Sequence, residues 1–363
     1  MRRQLIIALL WTAAGCGVSF PENHLIEDLR VLNIRAEPPE VGLFVKGGLE
    51  LEPLPSFATS TVVRFTVLAA HPDLDAKLRF DWFRCAPEDP SDAPLRGLPC
   101  DASARVRLDL AGTSTLTVSP VGEVLDDLES RGDTAGVTAL FGGDPRALIN
   151  GFYGYFQVAA SIQDADVAVD TQRLEATKRL VIFEPRVAHA AVQLSRDPTL
   201  LSGQQGRLPI DIPTLCLGAP QSKVDAITAF LRSRPTNRNP TLDRVTVTRL
   251  SRASTSTRSL PGLEIAPSQQ IELVASGSEA EPYELIDGNC ELLSFKERLA
   301  YSWFTSRGGL ERQVTSDDRP TTVYTAPNAA DLPSGRTRIR IYVVVRDGRG
   351  GSDHRTFDLS VVK

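Results

Sequence analysis

The chain has 363 residues, too many for one small core, so two domains are the natural expectation. Its formal net charge is −5, from 40 basic and 45 acidic residues, and an acidic surface of that kind argues against nucleic acid and against a polybasic grip on anionic lipid. The 25 prolines and 26 glycines, many short β-branched runs and few long amphipathic patterns point to mostly β structure.

At the N-terminus, Arg2 and Arg3 precede an apolar run from Leu5 to Trp11, and Ala13-Ala14-Gly15-Cys16 follows. The run is too short to span a bilayer and is flanked like a removable secretory signal. Small residues directly ahead of a cysteine are how a bacterial lipoprotein signal ends, although Ala13 stands where such signals usually carry Leu. Residues 1–15 are therefore expected to be removed, leaving Cys16 as an acylated first residue. Loss of Arg2 and Arg3, with no acid among those residues, takes the net charge to −7. Each buried methylene contributes about 0.8 kcal/mol, and two or more chains hold a protein on a membrane stably. No second apolar stretch approaches the length of a span, so the lipid is expected to be the membrane contact. The implied address is the cell envelope, at the outer membrane of a Gram-negative bacterium. The competing reading is a buried N-terminal helix with an incidental cysteine.

Residues 16–27 read as the lipidated end and a short tether. A first β-domain is expected over 28–185. Leu29, Val31 and Asn33 alternate against Arg30, Leu32 and Ile34, and Pro38-Pro39 stops the strand. Thr61 to Ala69 is a second strand. Leu78, Phe80 and Trp82 alternate with Arg79, Asp81 and Phe83, which sets Trp82 on an apolar face. Ser119-Pro120 followed by Val121, Val124, Leu125 and Leu128 predicts a capped helix in an insertion near 119–150. Gly154 to Ile162 and Lys178 to Phe183 close this half as strands.

A connecting segment, 186–239, carries one helix with the stripe Val224, Ile227, Phe230 and Leu231. Ser222 with Asp225 suggests its start, and Pro235 with Asn237-Arg238-Asn239-Pro240 its end. These helices are expected to cover sandwich edges. From 240 onward the first half's order returns. Leu242 to Thr248 and Ile271 to Ala275 read as strands, and Leu299, Tyr301 and Trp303 repeat the spacing of Leu78, Phe80 and Trp82. Arg338 to Arg346 and Phe357 to Val362 close the copy. A coarse duplication with one inward tryptophan per copy predicts two antiparallel immunoglobulin-like β-sandwiches with short helical insertions.

Tyr301-Ser302-Trp303, Val323-Tyr324-Thr325-Ala326-Pro327, Ile339 to Arg346 and Asp347-Gly348-Arg349-Gly350-Gly351 occur in that order near the C-terminus. As a set they resemble bacterial immunoglobulin-like domains of the PKD/cadherin-like kind. The N-terminal half matches less well, since Gln163-Asp164-Ala165-Asp166 replaces the Gly-rich turn and T-A-P is missing. Cys16 with its signal, the L-R-V-L-N-I-R-A-E-P-P-E opening at 29–40 and N-R-N-P-T-L at 237–242 resemble uncharacterised lipoproteins of myxobacterial type. The resemblance implies a fold and an envelope location, and no reaction.

Setting Cys16 aside leaves Cys85, Cys100, Cys216 and Cys290, an even set suited to two disulfides in an oxidising compartment. Three pairings are possible. Cys85–Cys100 and Cys216–Cys290 keep the bridges local, worth about 3 and about 4.5 kcal/mol by loop-closure entropy. Asp347 and Asp353 flank the last Gly-rich hairpin, and Asp164 and Asp166 sit at the matching place in the first half. Such carboxylates are candidates for calcium, which needs six to eight oxygens. Turn geometry is the plainer account, and Arg346 and Arg349 would repel a cation.

No catalytic motif is present. His24, His71, His189 and His354 form no H-E-x-x-H pair, and G-x-S-x-G, G-x-x-x-x-G-K and G-x-G-x-x-G are lacking. His71 and His354 read as exposed loop residues. No cofactor is implied. The expected function is a non-enzymatic binding or scaffolding module with an envelope protein or polysaccharide as partner. The loop between Cys85 and Cys100, residues 119–150 and the aromatics Tyr153, Tyr155 and Phe156 are the candidate contacts. A carbohydrate- or peptidoglycan-binding module, which needs exposed aromatics in a row, and an enzyme without a recognisable motif are the alternatives.

Overall fold

The computed structural model describes residues 24–42, 62–85, 105–109, 112–120, 152–163, 174–183, 219–249, 257–259, 262–287 and 289–363. The predicted β architecture is what they form. In the first half, β1 (Arg30–Glu37), β3 (Val63–Ala70) and β6 (Thr115–Val118) make one sheet in the order β1-β3-β6. Facing it are β2 (Glu40–Gly42), β4 (Leu78–Cys85), β5 (Arg105–Asp109), β7 (Phe152–Ile162) and β8 (Leu174–Phe183), in the order β2-β8-β7-β4-β5. Pairing is antiparallel except for β2 with β8. The Glu37–Pro38 peptide is cis. It stands where the chain leaves the first sheet for the second.

Side-chain alternation explains this core. Val63, Phe65 and Val67 point inward from β3 between the outward Arg64 and Thr66, and Phe80 and Trp82 do the same from β4. Phe65 packs on Phe156 with ring centroids 4.6 Å apart and on Trp82 at 6.1 Å. Burying each such side chain stabilises by about 1.5–3 kcal/mol. The Trp82 indole N–H donates to Thr113 O (3.0 Å), so its one polar atom is satisfied. Phe156, a candidate contact residue by sequence, is fully buried in this core.

The second half repeats the plan. After helix α1 (Gln221–Ser233) come β9 (Leu242–Arg249), β10 (Thr257–Ser259), β11 (Leu263–Ile265), β12 (Gln270–Gly277), β13 (Pro282–Ile286), β14 (Leu292–Lys296), β15 (Ala300–Thr305), β16 (Gly309–Leu310), β17 (Val314–Ser316), β18 (Thr321–Thr325), β19 (Arg336–Arg346) and β20 (Ser352–Val362). Their sheets run β10-β9-β12-β18-β16 and β11-β20-β19-β15-β17, and β13 and β14 form a separate hairpin. The order β11-β20-β19-β15-β17 matches β2-β8-β7-β4-β5 strand for strand, down to the parallel pairing of β11 with β20. Trp303 takes Trp82's place, fully buried in a second core, with its indole N–H donating to Thr315 Oγ1 (2.9 Å).

Two local expectations need correction. The helix begins one residue before Ser222, behind Pro220, and no side chain caps it. The Pro220 carbonyl accepts from Lys223 N (3.0 Å), and Gln221 Nε2 donates to Asp225 Oδ1 (2.7 Å), so Asp225 supports the first turn from another partner. Val224, Ile227 and Leu231 are buried as the stripe predicted, while Phe230 is half-buried. The second correction is the hairpin β13–β14, which the sequence reading did not anticipate. Residues 121–150, with their expected helix, lie outside the described residues. Among the described residues no helix is long and apolar enough to cross a membrane.

Candidate functional site at the junction of the two sandwiches

A β-bulge in β1 creates the junction. Register shifts between Val31 and Asn33, so strict alternation fails there. Val31, Ile34 and Ala36 pack toward the first core, whereas Leu32 turns outward. Leu32 joins Ile26 and Ala70 against Phe304, Tyr342 and Val344 of the second sandwich, forming an apolar seam.

Polar pairs extend the seam along β1. Arg346 Nη2 donates to Leu32 O (2.7 Å), and burial pushes this guanidinium down to about 10. Asn33 Nδ2 lies 3.2 Å from His354 Nδ1. His354 is therefore half-buried against the first sandwich and is not an exposed loop residue. Burial chiefly lowers its pKa, helped by Arg35 and Arg346 and opposed by Asp353. Arg35 bridges Asp353 (2.6 Å) and Glu37 (2.7 Å). Asn239 Nδ2 donates to Ala36 O (2.7 Å) and to Glu37 Oε2 (2.8 Å), while its Oδ1 accepts from Ser352 N (2.9 Å).

Deeper in, the junction becomes ionic. Glu40 of β2 is 3% exposed. Its Oε1 lies 2.7 Å from Arg234 Nη2, a charge contact outside hydrogen-bond angles. Its Oε2 accepts from Asn237 N (3.2 Å) and from Arg349 Nη2 (3.4 Å). Arg349 Nη1 also donates to Glu297 (3.0 Å). Asp347 accepts from Asn237 Nδ2 (2.9 Å), Arg349 N (2.7 Å) and Gly351 N (2.9 Å). Lys178 Nζ of β8 donates to Gly350 O across the junction. Burial lowers Lys178 to about 8 against the pull of Asp347, lowers Arg234 and raises Glu297. Three carboxylates (Glu40, Glu297, Asp347) thus meet three cations (Arg234, Arg349, Lys178), which is the condition for tolerating charge in a low-dielectric interior. Gly351 is required here, because a Cβ would overlap the Asp347 carboxylate.

The hairpin carboxylates considered for calcium are engaged differently. Asp347 organises its own turn and holds Asn237, whereas Asp353 binds Arg35 and Leu242 N (2.9 Å). The structure gives the two carboxylates different partners. The described residues contain no group of three or more His, Cys, Asp or Glu suited to a metal ion. Asp164 and Asp166 lie outside the described residues. Cys85 and Cys290 are both disulfide-bonded. Cys16, Cys100 and Cys216, His189, the 86–100 loop and the Tyr153 side chain lie outside the described residues. His71 sits in a turn, its Nδ1 accepting from Asp73 N (3.1 Å).

One surface feature went unread in the sequence. Register pairs Tyr283 with Phe295 and Leu285 with Leu293 across the β13–β14 hairpin, so all four share one face. Tyr283 and Phe295 stack at 5.4 Å with planes 22° apart. Phe295 is 42% and Leu293 40% exposed. Arg349 Cζ lies 4.5 Å from the Tyr283 ring centre and so links this face to the junction. The tip is tied down by disulfide-bonded Cys290 and by the Lys223–Glu291 pair (2.6 Å).

No family model matches the chain, and no curated protein matches it in sequence. Among solved structures it is similar to SGBP-B of the Bacteroides ovatus mixed-linkage glucan utilization locus, determined with a mixed-linkage heptasaccharide. Identity is 9% over 92% of this chain and 47% of that one, with a TM-score of 0.14. It is also similar to dimeric latent PorU of Porphyromonas gingivalis, at 9% identity over 93% of this chain and 24% of that one, with a TM-score of 0.18. The chain spans less than half the length of either protein.

Proposed function

We propose that the chain is a lipid-anchored cell-envelope protein whose two sandwiches act as one non-enzymatic binding or scaffolding unit. The junction carries this reading. Its buried ions are matched to one another across the two sandwiches, and charges engaged in that way fix orientation. Rigidly oriented sandwiches display their end loops to a partner, here an envelope protein or polysaccharide. Disulfides at Cys85 and Cys290 support an oxidising compartment. A fatty-acid analogue supplied to expressing cells is expected to label the wild-type protein and to leave Cys16→Ser unlabelled. Fractionation is expected to move that variant from membrane to soluble material. Label on both proteins, or membrane retention of the serine variant, contradicts the anchor.

The hairpin face favours a carbohydrate or peptidoglycan partner as a second reading. Flat rings beside a cation suit the apolar face and hydroxyl edge of a sugar ring. Phe295→Ala is expected to weaken retention on immobilised peptidoglycan or β-glucan by about tenfold, the loss of one exposed aromatic anchor. Equal retention of wild type and variant contradicts this reading.

A further inference from the structure

The N-terminal segment lies on the second sandwich before entering the first. Leu25 forms a parallel bridge with Thr305 at the end of β15. Thr305 N donates to His24 O (2.9 Å), and Ile26 N donates to Thr305 O (2.9 Å). Ile26, 2% exposed, fills the apolar seam beside Phe304 and Val344. Four residues later the same chain is β1 of the other sandwich. Residues 24–29 are therefore a strap that spans both bodies.

The His24 side chain closes the strap. Its Nε2 lies 3.2 Å from Leu310 N in β16, and its Nδ1 lies 3.0 Å from the Gln313 carboxamide. A backbone N–H can only donate, so Nε2 carries no proton. The neutral ring then has its hydrogen on Nδ1, and the Gln313 amide, whose Nε2 lies at that nitrogen, is assigned the end-for-end orientation in which its oxygen accepts. Adding a second proton sets an N–H against the Leu310 N–H. That bond is lost, and a buried backbone donor is orphaned. The charged neighbours offer no compensation. Glu311 and Arg312, which lie between Leu310 and Gln313 in the chain, pair with each other at 3.9 Å. Arg307 meets the region through its carbonyl, which accepts from Thr305 Oγ1 (2.6 Å) and Tyr324 OH (3.1 Å). Burial alone lowers the His24 pKa.

We propose that His24 is a pH-sensitive latch, holding the strap on the second sandwich near neutral pH and releasing it in mildly acidic surroundings. The folded-state pKa lies below the ordinary value of 6.5. The latch's stabilisation is therefore complete above that value and is lost as pH falls through it toward the folded-state pKa. The latch stands on geometry and is independent of lipidation.

Amide exchange on the full-length protein in detergent, corrected for the intrinsic pH dependence of exchange, tests the latch. Between about pH 7.5 and about pH 5.5, protection at residues 24–29 and 305–313 is expected to fall by about two- to tenfold, the net worth of one lost backbone hydrogen bond. The central strands β7 and β19 are expected to hold. His24→Gln supplies an acceptor that does not titrate in this range, and its strap is expected to be equally protected at both pH values. Unchanged wild-type protection overturns the proposal. So does an equal loss in His24→Gln, which assigns the effect to another group such as His354. Chemical-shift titration of the wild-type ring gives a readout that needs no variant. Its midpoint is expected below 6.5 and to coincide with strap opening; a midpoint that strap opening does not follow overturns the latch.

Discussion

Replacing Glu40 with alanine is expected to destabilise the protein by about 3–5 kcal/mol, as removal of one member of a buried ion pair does. The cause is the guanidinium left behind. Arg234 is buried, burial already lowers its pKa, and Glu40 supplies the opposing attraction. Arg349 suffers less, because Glu297 remains within 3.0 Å. Urea unfolding followed by circular dichroism measures the loss, and amide exchange locates it at the junction. Removing both partners, Glu40→Ala with Arg234→Ala, is expected to restore part of the stability, since the buried guanidinium that lost the Glu40 attraction is then gone as well. A Glu40→Ala protein as stable as wild type would show that the ion network does not hold the sandwiches together.

Trp303→Ala is expected to cost a similar amount, about 3–5 kcal/mol, by opening a cavity in the second core. Thr315 Oγ1 also loses its donor inside the sandwich. The two cores are distinct, so the damage is expected to centre on the second one. Proteolysis in mild urea should cut residues 240–363 first, while the strands around Trp82 stay protected. Trp82→Ala is the mirror experiment. Simultaneous loss of both halves in either variant would mean that the junction couples them into one cooperative unit.

Much of the β framework was legible because its strands follow a two-residue period and β4 and β15 each carry one inward tryptophan. The junction was not, because its partners are far apart in the chain. Asn33 meets His354, and Glu40 meets Arg349. Asn237-Arg238-Asn239-Pro240 reads locally as a helix stop, yet Asn237 and Asn239 each bind residues of the opposite side. His354 was misread for the same reason: it looks like part of a turn until β1 is laid beside it. The β13–β14 hairpin is not legible as core because it stands apart from both sheets and Leu293 and Phe295 on it are exposed. Asp347 and Asp353 were visible as a pair of acids, but only the fold separates their partners.

The strap changes how the molecule would respond to being pulled. Its grip is a short parallel bridge next to Thr305, so tension drawn from the N-terminus enters the C-terminal body first, although β1 comes earlier in the chain. The first strand is shielded until that grip yields. A pull applied ahead of His24 would therefore peel this small clasp first and leave the hydrogen-bond ladders of both sandwiches intact.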